Sequence, residues 1–255
     1  MKLELSEPDF RYVSGSQTAR DITEAWIAQS IYCPNCGNPR LRQFPKNLPV
    51  ADFYCSQCND QYELKSQKKE FGRKIANGAY QTKIERLQSD TSPNLILMRY
   101  DPDASLVRQL YVVPKRFFVP SIVERRKPLS SVARRAGWIG SNIVIEKIPV
   151  IGRICIVNDG VIAPMQDVLA KWQRTAFLDR QDAANRGWLV DVMSCIDDLR
   201  KPEFTLDEVY RYESYLSRLY PGNNNVRPKI RQQLQFLRDN GYLEFRGRGN
   251  YRLIQ

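Results

Sequence analysis

Apolar residues recur with two different periods along the chain. Leu95-Ile96-Leu97-Met98, Leu110-Tyr111-Val112-Val113, Ile143-Val144-Ile145 and Ile154-Cys155-Ile156-Val157 are short, nearly continuous apolar runs. Runs of that length, with loops containing Pro149, Gly152 and Gly160 between the last two, read as buried strands. Elsewhere the spacing is helical. Ala19, Ile22, Ala25, Trp26 and Ala28 fall largely along one side of a helix expected over residues 14–31. Ala79, Ile84 and Leu87 mark another over residues 77–90. Helices mixed with short buried strands predict an α/β domain with a mixed central sheet.

The pattern changes near residues 179–187, where the chain turns polar and strands are expected to stop until its end. A helix is expected over residues 188–199. Thr205-Leu206-Asp207-Glu208 is a capping box, and it opens a helix running toward Tyr220 that Pro221-Gly222 ends. Asn225 can cap a third helix through Asn240, stopped by Gly241. Tyr242-Leu243-Glu244-Phe245, the Arg246-Gly247-Arg248-Gly249 tip and Tyr251-Arg252-Leu253 form a closing hairpin. Helix, helix, helix, hairpin is the order of a winged helix. The expected division is therefore an α/β domain over residues 1–181 and a winged-helix domain over residues 182–255.

Charge then narrows the partner. The 255 residues carry 39 Lys and Arg against 28 Asp and Glu, a net charge of +11. Such an excess favours a polyanion, nucleic acid before a membrane surface. No apolar window approaches a membrane span, and Met1-Lys2-Leu3-Glu4 opens no signal peptide, so a cytoplasmic protein is expected. There is no histidine. That excludes Ser-His-Asp and Cys-His triads and every histidine-ligated metal. Catalysis by this chain has to use carboxylates, lysine, metal and water.

Of six cysteines, Cys155 and Cys195 stand alone in apolar surroundings and are expected to be buried packing residues. The other four form two knuckles, Cys33-Pro34-Asn35-Cys36 and Cys55-Ser56-Gln57-Cys58, at zinc-ribbon spacing. Four thiolates fill tetrahedral Zn²⁺ and leave no position for water, so this zinc is expected to be structural. If the second knuckle is the turn of a hairpin centred between Gln57 and Cys58, Asp52 lies opposite Glu63, within reach of one shared hard cation. Strand alternation puts Glu63 and Lys65 on one face and Leu64 on the other. Two carboxylates that hold Mg²⁺ and a lysine that serves water are what phosphodiester hydrolysis requires.

Other basic groups point to DNA. In the third helix of the tail, Ile230, Leu234 and Leu237 form the inward stripe, while Lys229, Gln232 and Gln235 turn away and Arg231 flanks it. Residues 226–255 carry seven Lys or Arg and two Asp or Glu, whereas residues 182–225 carry five and eight. The asymmetry favours phosphate contacts by Lys229, Arg231, Arg246 and Arg248, with Gln232 suited to an adenine edge. Two readings stand for Arg134-Arg135-Ala136-Gly137-Trp138. Trp138 is a core residue beside solvated arginines, or the segment is a loop that enters a DNA groove.

Pro49-Val50-Ala51-Asp52 with Glu63-Leu64-Lys65 resembles the PD-(D/E)xK nuclease motif, departing from it by Val50-Ala51 between Pro and Asp. The stretches Tyr32 to Asn38, Ala133 to Gly140, Phe204-Thr205-Leu206 and Lys229 to Gln235 are similar to restriction endonucleases of the DpnI type, in the same order over essentially the whole chain. The resemblance implies a PD-(D/E)xK domain with structural zinc, then a winged helix that also binds DNA. It implies a monomeric, Mg²⁺-dependent type II enzyme that cuts duplex Gm6ATC, the adenine-methylated GATC sequence. Asp52, Glu63 and the Leu64 carbonyl would then ligate Mg²⁺, and Lys65 would serve the water. A non-catalytic zinc-ribbon and winged-helix regulator, or a DNA repair nuclease, are the alternative readings.

Overall fold

The computed structural model describes residues 1–6, 15–45, 51–88 and 91–254. Pro49 and Val50 of the motif lie outside the described residues, as do residues 14, 89 and 90 at the expected helix ends. The first elements are α1 (Gly15–Ser30), β1 (Arg42–Gln43), β2 (Phe53–Tyr54), β3 (Gln61–Gln67), β4 (Lys74–Ala79) and α2 (Tyr80–Gln88). They are followed by β5 (Asn94–Asp101), β6 (Leu106–Val113), β7 (Val123–Arg125), β8 (Gly140–Val144), β9 (Ile154–Asn158) and β10 (Val161–Ile162). The rest comprises α3 (Met165–Gln173), α4 (Ala183–Asp198), β11 (Glu203–Thr205), α5 (Leu206–Tyr210), α6 (Glu213–Leu219), α7 (Val226–Asp239), β12 (Leu243–Gly247) and β13 (Asn250–Leu253). No helix among the described residues is long and apolar enough to cross a membrane.

The chain divides into two compact units. The first comprises Met1–Ile75, Ser89–Phe117 and Ile151–Ala176. Its sheet runs β1-β2-β3-β5-β6-β9-β10, and it is mixed, because β3 and β5 pair in parallel while their neighbours pair antiparallel. β5 is buried at nearly every position, as a central strand covered on both faces must be. Ile96 and Met98 share one face with Leu110, Val112, Ile154 and Ile156. Trp26, Ile27 and Ile31 of the α1 region and Val168 and Trp172 of α3 join the same core. Fully burying each such side chain contributes roughly 1.5–3 kcal/mol.

The second unit comprises Ala76–Gln88, Phe118–Val150 and Phe177–Gln255. β7 and β8 pair antiparallel beside β4 in a small separate sheet. Ile143 and Val144 therefore do not belong to the central sheet, and Ile145 opens a 3-10 turn. Residues 77–79, expected to begin a helix, end β4 instead, where Ser141 Oγ donates to Gly78 O at 3.0 Å.

The tail has the winged-helix order, with four departures from the sequence reading. α4 starts at Ala183, earlier than expected, because the Asp182 carboxylate accepts Asn185 N–H at 2.8 Å and caps it. The Thr205 capping box is present, but its helix breaks at Arg211-Tyr212 into α5 and α6. Asn225 is the N-cap residue of α7 yet makes no side-chain cap bond. β11 adds a strand that the polar composition concealed, and the sheet runs β11-β13-β12. Gly241, at φ +71°, follows α7 where a left-handed residue is needed. Ile230, Leu234 and Leu237 are buried as the stripe required. Cys195 is buried, whereas Cys155 is only half-buried.

Candidate functional site

The knuckles come together as their spacing requires. Cys33 Sγ lies 3.6 Å from Cys58 Sγ, and Cys36 Sγ lies 3.5 Å from Cys55 Sγ. Among the described residues these four are the group of three or more His, Cys, Asp or Glu whose ligand atoms lie within 4.8 Å of one another. Zn–S bonds of about 2.3 Å put the sulfurs of a tetrahedral site about 3.8 Å apart, a spacing close to the two measured pairs, so the cluster could hold zinc. Burial pushes the Cys33 thiol up to about 11, which disfavours its thiolate unless a cation holds it. Burial opposes the Cys55 thiolate too, but N–H groups of Cys58 and Gln57 and the Asn38 amide outweigh it and bring that thiol down to about 6. Asn35 Nδ2 donates to Asp60 Oδ2 at 2.7 Å and clasps one knuckle to the other.

From the cluster the geometry passes directly to the hairpin. Phe53 pairs with Tyr62 and Tyr54 with Gln61, the register that centres the turn between Gln57 and Cys58. Asp52 N–H donates to Tyr62 O at 2.9 Å. The buried Tyr62 hydroxyl lies 3.2 Å from Cys33 Sγ, so one residue of β3 touches the cysteine cluster and the next is Glu63. Tyr62 and Leu64 pack into the core. Alternation turns Glu63 and Lys65 to the opposite face, where Lys65 Nζ sits 2.7 Å from Glu63 Oε1. Parallel pairing sets them beside Leu95 and Leu97, both buried. Asp52 reaches the same place from β2's end, because its Oδ2 accepts Leu64 N–H at 2.7 Å.

Arg20, Thr23 and Glu24 of α1, with their partners Gln43 and Ser66, were not anticipated at this site. Arg20 Nη2 donates to Asp52 Oδ1 at 3.2 Å, and Arg20 Nε is bound to Glu24 Oε1. Glu24 is buried, and its second oxygen accepts from Gln43 Nε2 at 2.7 Å. Burial raises the Glu24 carboxyl above its ordinary value while the Arg20 guanidinium pulls it down. Thr23, also buried, meets Ser66 Oγ at 3.0 Å. Two polar residues on the buried side of α1 are thus explained by where that side faces: it closes one flank of the Asp52–Lys65 site.

Asp52, Glu63 and Leu64 offer only oxygen donors, with the carboxylates about one-fifth exposed, a set that fits a hard divalent cation as the sulfur cluster fits zinc.

The remaining candidates lie in the second unit. Arg134 and Arg135 are exposed, and Trp138 is half-buried, with its ring against Gly140: a Cβ on Gly140 would stand 2.7 Å from Trp138 Cζ3. On α7, Arg231, Gln232 and Gln235 face solvent. Lys229 Nζ is held at 2.9 Å by both Asn185 Oδ1 and Gln232 Oε1. Arg231, Gln235, Arg238, Phe245, Arg248 and Tyr251 help to line a polar concavity of about 490 Å³. Arg246 is ion-paired with Glu244 at 3.3 Å, and Arg248 stands exposed at the wing tip.

A family model described as DpnI, the Dam-replacing family, matches residues 2–181. A second, described as the Dam-replacing HTH domain, matches residues 184–253.

Proposed function

The chain belongs to the Dam-replacing family, and on that premise we propose that it is a methyl-directed type II restriction endonuclease. Its reaction is Mg²⁺-dependent double-strand cleavage of DNA at adenine-methylated GATC, Gm6ATC. Residues 1–181 form the nuclease domain and residues 182–255 a winged helix that also binds DNA. It works as a monomer in the cytoplasm, with Zn²⁺ as a structural ion on Cys33, Cys36, Cys55 and Cys58.

The observation that carries this reading is the joining of Asp52 to the Glu63-Leu64-Lys65 strand through Leu64 N–H. Asp52, Glu63 and the Leu64 carbonyl would hold Mg²⁺, which supplies Lewis-acid polarisation of the phosphate and a more acidic water. Lys65 Nζ, already beside Glu63, orients the attacking water and balances negative charge growing on the phosphate. Arg20 keeps the Asp52 carboxylate turned toward Leu64. Arg134, Arg135, Lys229, Arg231, Arg246 and Arg248 supply phosphate contacts, while Trp138 and Gln232 face the bases.

The test is digestion, with Mg²⁺ present, of the same plasmid from an adenine-methylating and a non-methylating host. Cutting of the methylated plasmid alone is expected. Cutting of both would leave a nuclease without methyl direction, and cutting of neither would favour the DNA-binding regulator.

A further inference from the structure

Both oxygens of the Asp52 carboxylate are occupied. Oδ2 accepts Leu64 N–H at 2.7 Å, and Oδ1 accepts Arg20 Nη2 at 3.2 Å. Glu63 is likewise faced by Lys65 Nζ at 2.7 Å. Each carboxylate suited to a divalent cation thus already has an internal cation beside it. Lys65 stands two residues from Glu63 on one strand, so its place follows from alternation. Arg20 comes from a different element, and something else has to aim it.

That something is the buried Glu24, one turn further along α1. Its Oε1 accepts Arg20 Nε, and its Oε2 accepts Gln43 Nε2 at 2.7 Å. Thr23 Oγ1, 3.0 Å from Ser66 Oγ, seats the same helical turn on β3 beside Lys65. Stability does not explain this mount. A helical ion pair at i, i+4 contributes little, while taking a carboxylate out of water costs more than such a pair supplies. What the burial secures is direction. Arg20 Nε is held, while the side chain as a whole stays more than half exposed and its Nη2 reaches Asp52.

We propose that Arg20 is a catalytic residue of the cleavage reaction: pivoting on Glu24, its guanidinium passes from Asp52 to the phosphate being cut when Asp52 takes up a divalent cation. Glu24 is the positioning residue that aims it. The inference deepens the proposed function and rests on its reading of Asp52, Glu63 and Lys65 as a nuclease site. A divalent cation and a guanidinium repel each other at one carboxylate oxygen, so Nη2 gives up Oδ1 while Nε stays on Glu24. Charge favours the same exchange. Glu24, Asp52 and Glu63 against Arg20 and Lys65 leave the site one charge negative. One divalent cation reverses that sign, and one phosphodiester then neutralises it. The guanidinium fork can hold a carboxylate with one nitrogen and a phosphate oxygen with another. There it offsets the charge that grows as the water oxygen bonds to phosphorus and the bond to the leaving oxygen breaks.

The test uses the zinc-loaded full-length protein as wild type, Arg20→Ala, Glu24→Gln and the double variant. Mn²⁺, which takes the same oxygen ligands, is titrated without DNA, and the free ion is read by electron paramagnetic resonance. Arg20→Ala is expected to bind it about fivefold more tightly, because the competing cation is gone. Its single-turnover cleavage at saturating Mg²⁺ is expected to fall about a hundredfold, the scale of losing one charge-stabilising group. Fluorescence anisotropy on one methylated duplex is expected to show binding about tenfold weaker with Ca²⁺ present and unchanged without it. A merely structural arginine would not tighten cation binding while slowing cleavage. Glu24→Gln is expected to slow cleavage about tenfold in the wild-type background and not at all beside Arg20→Ala, because it acts through Arg20. The double variant leaves no buried carboxylate without its cation, so it reports the loss of Arg20 even where Arg20→Ala alone folds poorly. Wild-type cleavage by Arg20→Ala, unchanged Mn²⁺ affinity, a parallel loss of both, or equal weakening of DNA binding with and without Ca²⁺ overturns the proposal. Wild-type protein that cuts no DNA overturns the nuclease reading and the phosphate contact with it. Wild-type protein that cuts without regard to methylation counts only against methyl direction, and the Arg20 comparison still decides the proposal.

Discussion

Asp52 Oδ2 accepts the backbone N–H of Leu64 at 2.7 Å, so a carboxylate from one arm of the zinc-ribbon hairpin is fixed between Glu63 and Lys65 of the other. The bond matters because Glu63 and Lys65 are placed by strand alternation alone, whereas Asp52 lies just before the paired residues of β2. Its backbone N–H still reaches Tyr62 O, and the side-chain bond to Leu64 aims its carboxylate into the site. Asp52→Asn keeps an acceptor for Leu64 and removes the charge. Cleavage is expected to fall by about a thousandfold, the upper range for losing one electrostatic group in an active site. Binding to DNA and the melting temperature should stay near wild type. A variant that still cuts at more than a tenth of the wild-type rate would remove Asp52 from catalysis.

The cysteine cluster reaches the same strand through Tyr62 and Cys33. Cys55→Ser should therefore lower zinc content, melting temperature and cleavage together, since closed thiolate sites contribute folding free energy. Elemental analysis is expected to give one zinc per chain for wild type and for Cys155→Ser. A zinc-free protein with wild-type activity and melting temperature would refute the structural role.

Much of this was legible because the signals are local. Two CxxC knuckles fix a turn, a turn fixes a register, and register fixes which side chains share a face. The Thr205 capping box and the Ile230, Leu234, Leu237 stripe are local in the same sense. What escaped is set by distant partners. β4, Lys-Ile-Ala-Asn-Gly-Ala, has no apolar–polar alternation in its sequence and one buried residue, Ile75, and pairing with β8 makes it a strand. Arg20 and Glu24 resemble an ordinary exposed pair at i, i+4, and only packing against β3 and Gln43 reveals a buried carboxylate.

Gly140→Ala tests how Trp138 is held. The new Cβ would stand 2.7 Å from the Trp138 ring, forcing it to move at a cost of about 1–3 kcal/mol. Trp138→Ala should relieve that strain, so the double variant is expected to be more stable than the two single losses predict. Additive losses in a double-mutant cycle would mean that the ring shifts freely. If Trp138 also faces a base, Trp138→Ala should lower cleavage of methylated sites more than of unmethylated ones.

Asp191 gives a pH test of the second unit. Ser121 Oγ and Tyr220 hydroxyl each donate to one of its oxygens at 2.5 Å. Burial raises its carboxyl above the ordinary 3.8, with the two hydroxyls working the other way. The folded state therefore binds the proton more tightly than the unfolded chain. That contribution is fully present below the unfolded value and is lost as pH rises through the folded one. Asp191→Asn carries no such proton. Its stability relative to wild type should improve as pH rises from about 4 toward neutrality, measured by urea unfolding at several pH values. A pH-independent difference would show that Asp191 is equally charged in both states.

The wing separates charge from backbone. Arg248 stands at φ +48° between Gly247 and Gly249, both also at positive φ, a conformation that costs a non-glycine residue about 1 kcal/mol or more. Arg248→Gly should hold or raise the melting temperature while removing one exposed cation. If that cation meets a phosphate, the slope of log affinity against log salt falls by about 0.9, and affinity falls on every sequence alike. Arg246 is paired with Glu244, so Arg246→Ala should change the slope by less, since part of its charge is already balanced. An unchanged salt slope in a folded Arg248→Gly protein would mean that the wing tip stays clear of the DNA backbone. Its three left-handed residues would then serve only to turn the hairpin.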